Sequence, residues 1–115
     1  MSENCVFCKL SEGDMLTEKL FENDDVMAIR DISPQAPVHF LVIPKKHKVS
    51  ILDFDESEST LLGSLFIVAK KVAIDLGLEE NGFRVVVNTK QDGGQTVDHL
   101  HLHVLGGRAM AWPPG

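Results

Sequence analysis

The sequence predicts an α+β fold in one domain, residues 1–115, built as a five-stranded antiparallel meander with one long helix and a short N-terminal helix. Three observations lead there. Dense β-forming runs recur at 19–22, 25–31, 38–43, 83–88 and 99–105, each bounded by turn residues. A single long stretch, 57–76, repeats apolar residues at helical spacing. The local connections favour antiparallel neighbours over βαβ winding, which needs a crossover helix between each pair of strands.

In chain order, residues 1–16 read as an N-terminal arm with a helical turn at 6–10. Asn23-Asp24 turns the first strand into the second, and Pro34 and Pro37 stiffen the loop 31–37. Val38 to Ile43 is a probable central strand, stopped by Pro44. In the long helix Leu61, Leu65, Val68, Val72 and Leu76 share one face, Asp55 or Ser57 caps the start, and Gly77 ends it. The stretch 91–95 reads as a turn before the last strand.

The chain has 115 residues, 43% hydrophobic and 24% charged, which excludes disordered, collagen-like and coiled-coil classes. Eleven Lys and Arg against 17 Asp and Glu give a net charge of −6, which argues against delocalised binding to a nucleic-acid backbone. The longest apolar run, Leu65 to Ala69, is too short to cross a bilayer. Met1-Ser2-Glu3-Asn4 has neither a basic start nor an apolar stretch, so no signal peptide is expected. The expected location is cytoplasmic, with nuclear entry permitted by size.

His99-Leu100-His101-Leu102-His103-Val104-Leu105 is the most informative segment. On a strand the three histidines share one face, and Leu100, Leu102 and Val104 take the other. His99 and His103 would have Cα atoms roughly 13 Å apart, at about 3.3 Å per residue. Metal–nitrogen bonds are only about 2 Å long, so one ion is poorly placed for all three. The triad therefore divides between two tasks. Cys5 and Cys8, spaced as C-x-x-C, are half of a zinc site, and His47 and His99 complete a closed Cys₂His₂ set for a structural zinc. His39, His101 and His103 remain as a catalytic group.

Asp92-Gly93-Gly94-Gln95-Thr96 leads into the histidines. Its glycines let backbone N–H groups approach a phosphate, Gln95 and Thr96 add an amide and a hydroxyl, and Asn88 ends the preceding strand. A plain glycine-rich turn is the competing reading. Asp31 suits a ribose diol, or simply starts the turn that follows it. Val6, Phe7, Leu10, Ile29, Ile32 and Leu41 are candidate walls of a base slot.

The histidine segment resembles the His-φ-His-φ-His-φ-φ signature of the histidine triad (HIT) superfamily. Residues 31–45, the loop 92–96 and the tail Trp112-Pro113-Pro114-Gly115 resemble its Hint branch. The resemblance implies a homodimer whose sheets join into ten strands, and hydrolysis of purine nucleoside phosphoramidates to nucleoside monophosphate and amine. It implies His101 as nucleophile with His103 and His39 supporting it, phosphate contacts from Asn88, Gly94, Gln95 and Thr96, and a ribose contact from Asp31. It also implies that Trp112 reaches the partner's substrate site. Nucleic acid and membrane are not expected partners. The rivals are a two- or three-histidine metallohydrolase, a non-catalytic nucleotide-binding module, and a dinucleotide polyphosphate hydrolase or nucleotidyltransferase of the same superfamily.

Overall fold

The computed structural model describes residues 5–11 and 18–115. The elements are α1 (Val6–Ser11), β1 (Lys19–Glu22), β2 (Val26–Arg30), β3 (Val38–Pro44), α2 (Ser59–Asp75), β4 (Phe83–Val86), α3 (Lys90–Gly93) and β5 (Leu102–Gly106). Two 3₁₀ turns, Ile51–Asp53 and Glu56–Glu58, precede α2. The strands form one sheet in the order β1-β2-β3-β5-β4, antiparallel at every pair.

The meander expectation holds only for β1 to β3. β5 lies between β3 and β4 and runs antiparallel to both, so β3 and β4 are parallel and α2 makes the crossover. Short hairpin connections force antiparallel neighbours, whereas the long connection through α2 can span a strand and leave a slot for β5.

α2 closes one face of the sheet. Leu65, Val68, Ala69, Val72 and Ala73 are its buried residues, against Val26, Ala28, Phe40, Val42, Leu100, Leu102 and Val104. Leu61 and Leu76, expected on the buried face, are only partly buried at the two ends of the stripe. The stripe is rotated toward Ala69 and Ala73, whose small side chains let the helix sit close to the strands. Asp55 caps the preceding 3₁₀ turn by accepting the Ser57 N–H at 2.8 Å. Gly77 ends the helical run with φ +84°, a conformation that only glycine adopts cheaply. Gly106 is required by packing, because a Cβ there would lie 2.7 Å from Leu78.

The other face carries a second apolar cluster of Cys5, Phe7, Cys8, Met27, Ile29, Leu41 and Ile43. α1 is therefore laid across the sheet opposite α2. The alternation along 100–104 is as expected: Leu100, Leu102 and Val104 join the α2 cluster. The extent of the last strand is not. The β3–β5 ladder ends at Val42–Leu102, which leaves His99 and His101 before the strand. The Leu100 N–H is diverted to the carbonyl of Lys48 at 2.6 Å. β4 likewise stops at Val86, two residues short of Asn88. The 91–95 turn is instead the end of α3, closed by Gly94 at φ +79°.

Candidate active site and metal centre

Three chain segments converge on one cluster of four residues. Cys5 and Cys8 come from the start of α1, His47 from the loop after β3, and His99 from the approach to β5. Their ligand atoms all lie within 4.8 Å of one another. Cys5 Sγ is 3.1 Å from His99 Nδ1, Cys8 Sγ is 3.2 Å from His47 Nδ1, and Cys8 Sγ is 3.5 Å from His99 Nδ1. A tetrahedron with the usual zinc–sulfur and zinc–nitrogen bond lengths has S···N edges of about 3.6 Å. The His99 tautomer is settled independently. Its Nε2–H donates to the Pro44 carbonyl at 2.7 Å, so the lone pair of Nδ1 faces the sulfurs. His99 is completely buried, and burial holds its pKa below the ordinary value. The donor set and tautomer fit a metal ion.

A second chain of hydrogen bonds orders the remaining histidines. The Gln35 N–H donates to His39 Nδ1 at 3.0 Å. His39 Nε2, which then carries the proton, lies 2.9 Å from His103 Nδ1 and 3.4 Å from Asp31 Oδ2. With His103 Nδ1 accepting, the proton of neutral His103 is on Nε2. Burial, with His101 and His39 nearby, lowers the His103 pKa to about 4. Burial also lowers that of His39 against the opposing pull of Asp31. Both are therefore neutral near pH 7.

His101 connects these two assemblies. Its Nδ1 donates to the His99 carbonyl at 2.8 Å, which leaves the Nε2 lone pair available. Its ring lies 4.9 Å from that of His103, and the Phe7 ring meets it edge-on at 5.1 Å. The last β4–β5 pair is Val86 with His103, so Asn88 and His101 both lie just beyond the ladder.

The glycine loop is less open than its sequence suggests. The N–H groups of Gly93, Gly94 and Gln95 bond to Thr89, Gln91 and Lys90 carbonyls, so they close α3. The Gln95 amide donates to Val49 and Val97 carbonyls and its oxygen accepts the Lys90 N–H. Gln95 thus ties the loop to the segment after β3. Thr96 is exposed. It lines a cavity of about 420 Å³ with Cys5, Val6, His47, Val49, Val97 and Asp98.

Asp31 is half-engaged by its own turn, where Oδ1 accepts the Ser33 N–H at 2.8 Å. Phe7, Ile29 and Leu41 are buried together and Val6 packs on them, whereas Ile32 is 94% exposed and walls no slot within the chain. The Leu10 side chain lies outside the described residues. Trp112 is 82% exposed, and the residue before it is held by Arg84, which donates to the Ala111 carbonyl.

Residues 12–110 match the HIT domain. The chain belongs to the HIT family. An uncharacterized HIT-like protein of Synechococcus elongatus is 47% identical over 115 residues, the whole of both chains. A HIT family hydrolase from Legionella pneumophila superposes with a TM-score of 0.95 and 51% identity, covering 97% of this chain and all of that one. A histidine triad protein from Clostridium difficile does so with 0.92 and 40%, over 96% of each.

Sequence reasoning missed the partners that aim the histidines of this HIT protein: the carbonyls of Pro44 and Lys48 and the N–H of Gln35. These are backbone groups, which carry no residue signature. It also missed Glu58. Lys48 and Lys46, on either side of His47, bond its carboxylate at 2.7 and 3.0 Å and hold its pKa near 2. Lys-rich runs usually read as solvated surface, so nothing local marks this bracket.

Proposed function

We propose that the protein is a nucleotide hydrolase that cleaves the P–N bond of purine nucleoside phosphoramidates, of the adenosine 5′-phosphoramidate type, through a nucleotidyl–His101 intermediate. The observation that carries this reading is the 2.8 Å bond from His101 Nδ1 to the His99 carbonyl, which leaves the Nε2 lone pair of the neutral ring to attack. Membership of the HIT family and the likeness to the HIT family hydrolase from Legionella pneumophila support it.

In this reading Nε2 of His101 attacks the α-phosphorus, the N–P bond forms, and the P–N bond to the amine breaks. The amine takes a proton as it departs. Water then attacks phosphorus and displaces His101, so the net reaction consumes one water and yields nucleoside monophosphate and amine. His103 Nε2–H, backed by His39 and Asp31, is the donor set toward the nonbridging oxygens. Asn88 and the Thr96 hydroxyl are further phosphate contacts, with Gly94 and Gln95 shaping the loop that carries them. Asp31 contacts the ribose.

Zinc is the metal assigned to Cys5, Cys8, His47 and His99. A closed set of two thiolates and two imidazoles leaves no position for substrate, so its contribution is structural. A homodimer is supported by the exposed Phe66, Ile67 and Ile74 on α2 and Phe83 on the edge strand β4. Trp112 then extends to the partner's site. A cytoplasmic enzyme is the simplest reading, and no described helix is long and apolar enough to cross a membrane.

The test is mass spectrometry of protein quenched during turnover of an adenosine phosphoramidate. An adenylyl adduct on His101 is expected. Turnover without an adduct, abolished by chelators, points instead to metal-activated water; AMP binding without turnover points to a binding module.

A further inference from the structure

The segment that bears His101 is held by something other than the sheet. The β3–β5 ladder ends at Val42–Leu102, so His99 and His101 precede it. The Leu100 N–H is bound by Lys48, the residue next to His47. His99 is anchored through both ring nitrogens: Nε2–H on the Pro44 carbonyl at 2.7 Å, and Nδ1 against Cys5 Sγ at 3.1 Å and Cys8 Sγ at 3.5 Å. Its ring also meets His47 edge-on at 4.8 Å. The carbonyl of this same residue accepts the His101 Nδ1–H. Phe7, between Cys5 and Cys8, touches the rings of both His99 and His101, at 5.8 and 5.1 Å.

We propose that His99 is a positioning residue that couples the Cys5–Cys8–His47 cluster to the tautomer and placement of His101. The inference rests on the reading of His101 as nucleophile and adds a dependence of that residue on the cluster. A bound zinc supplies a fixed point that holds two thiolates and two imidazoles together. Without that point His99 retains only thiol contacts on its Nδ1 side, and the peptide group that carries its carbonyl is held by the Leu100 N–H bond to Lys48, itself next to the cluster's His47. Hydrogen bonds weaken steeply with misalignment. Once the Nδ1–H of His101 loses its acceptor, the proton redistributes to Nε2 and the lone pair leaves the position facing the phosphorus. By linkage the coupling is reciprocal, so a nucleotide held at His101 also tightens binding of the metal.

The test uses the full chain, zinc-loaded and after removal of zinc by dialysis against a chelator. Imidazole ¹H–¹⁵N spectra near pH 7.5 report the His101 tautomer, and amide exchange reports residues 100–102. The loaded chain is expected to show Nδ1–H alone. The metal-free chain is expected to show the Nε2–H form at a tenth or more, with at least tenfold faster exchange at 100–102 and unchanged exchange in β1 and β2. Identical tautomer and exchange in the two forms overturns the proposal. If the metal-free chain does not stay folded, the same comparison is made with Cys8→Ser, which keeps three ligands.

A second arm measures the equilibrium partition of zinc between the chain and a chromogenic chelator, with and without saturating AMP. At least threefold tighter zinc binding with AMP is expected, and equal affinities overturn the reciprocal coupling. Calorimetry with AMP separates the two readings. Absence of AMP binding defeats the nucleotide-site reading, and the tautomer and exchange data then decide the coupling alone.

Discussion

The two faces of the sheet both carry buried residues but are held in different ways. Under α2 the contacts are apolar side chains meeting side chains, from Val26 to Val104. Across from it, beneath α1, apolar residues such as Leu41 and Ile43 share the face with His39, His99 and His101, all at least nine-tenths buried. There each imidazole is aimed by a backbone group or a sulfur. An apolar face tolerates small displacements at modest cost, since dispersion and burial are weakly directional. The histidine face does not, because a hydrogen bond lost inside leaves a polar atom without a partner. One face is thus held by burial and the other by directed hydrogen bonds.

Substitutions on either face sharpen this contrast. The largest effect is expected from His101→Asn, with turnover of an adenosine phosphoramidate falling by about 10³-fold or more while the melting temperature changes little. Normal turnover in that variant removes His101 as nucleophile. Leu102→Ala, on the α2 face, is expected to behave in the opposite way. It destabilises by about 2–5 kcal/mol in urea unfolding and leaves kcat per folded molecule nearly unchanged. A loss of kcat comparable to that of His101→Asn would show that the two faces are not separable.

Acid distinguishes the faces without mutation. His103 has a folded pKa of about 4, below the value near 6.5 of an unfolded histidine. The unfolded chain therefore binds the proton more readily, and stability falls as pH drops from about 6.5 toward 4. Between pH 7 and 5 this one residue is expected to cost about 2 kcal/mol, and His39 adds in the same direction. His103→Gln should flatten the stability–pH curve over that window; an unchanged slope would remove His103 as its source. The smallest effect is expected at the exposed tail. Trp112→Ala should change the ratio of kcat/KM between two leaving amines by about threefold and leave AMP affinity unaltered, which is about 0.7 kcal/mol. An unchanged ratio would remove Trp112 from the leaving-group side.

The last strand shows how far local pattern reaches. Alternation in His99-Leu100-His101-Leu102-His103 correctly assigns the leucines to the helix side, since a pleated chain keeps period two even where its ladder has ended. It does not reveal that His99 and His101 lie before the ladder, because that depends on Lys48, a residue far away in sequence. The Cys₂His₂ set was legible for a chemical reason: two cysteines and a surplus histidine have few other uses together. Gln95 was ambiguous for the opposite reason, since an amide serves a phosphate or a loop equally well, and here it bonds Val49 and Val97.

The sequence by itself determined the α+β class, the long helix and its apolar face, the side of the sheet each triad residue takes, and the residues of the Cys₂His₂ cluster. Those follow from periodicity and side-chain chemistry, which act over a few residues. Tertiary structure alone decided that β5 inserts between β3 and β4, and which nitrogen of each histidine carries its proton. Strand order depends on how a long crossover closes over the sheet, and tautomers depend on which carbonyl, amide or sulfur that closure brings within about 3 Å of a ring. Neither is encoded by any residue's immediate neighbours.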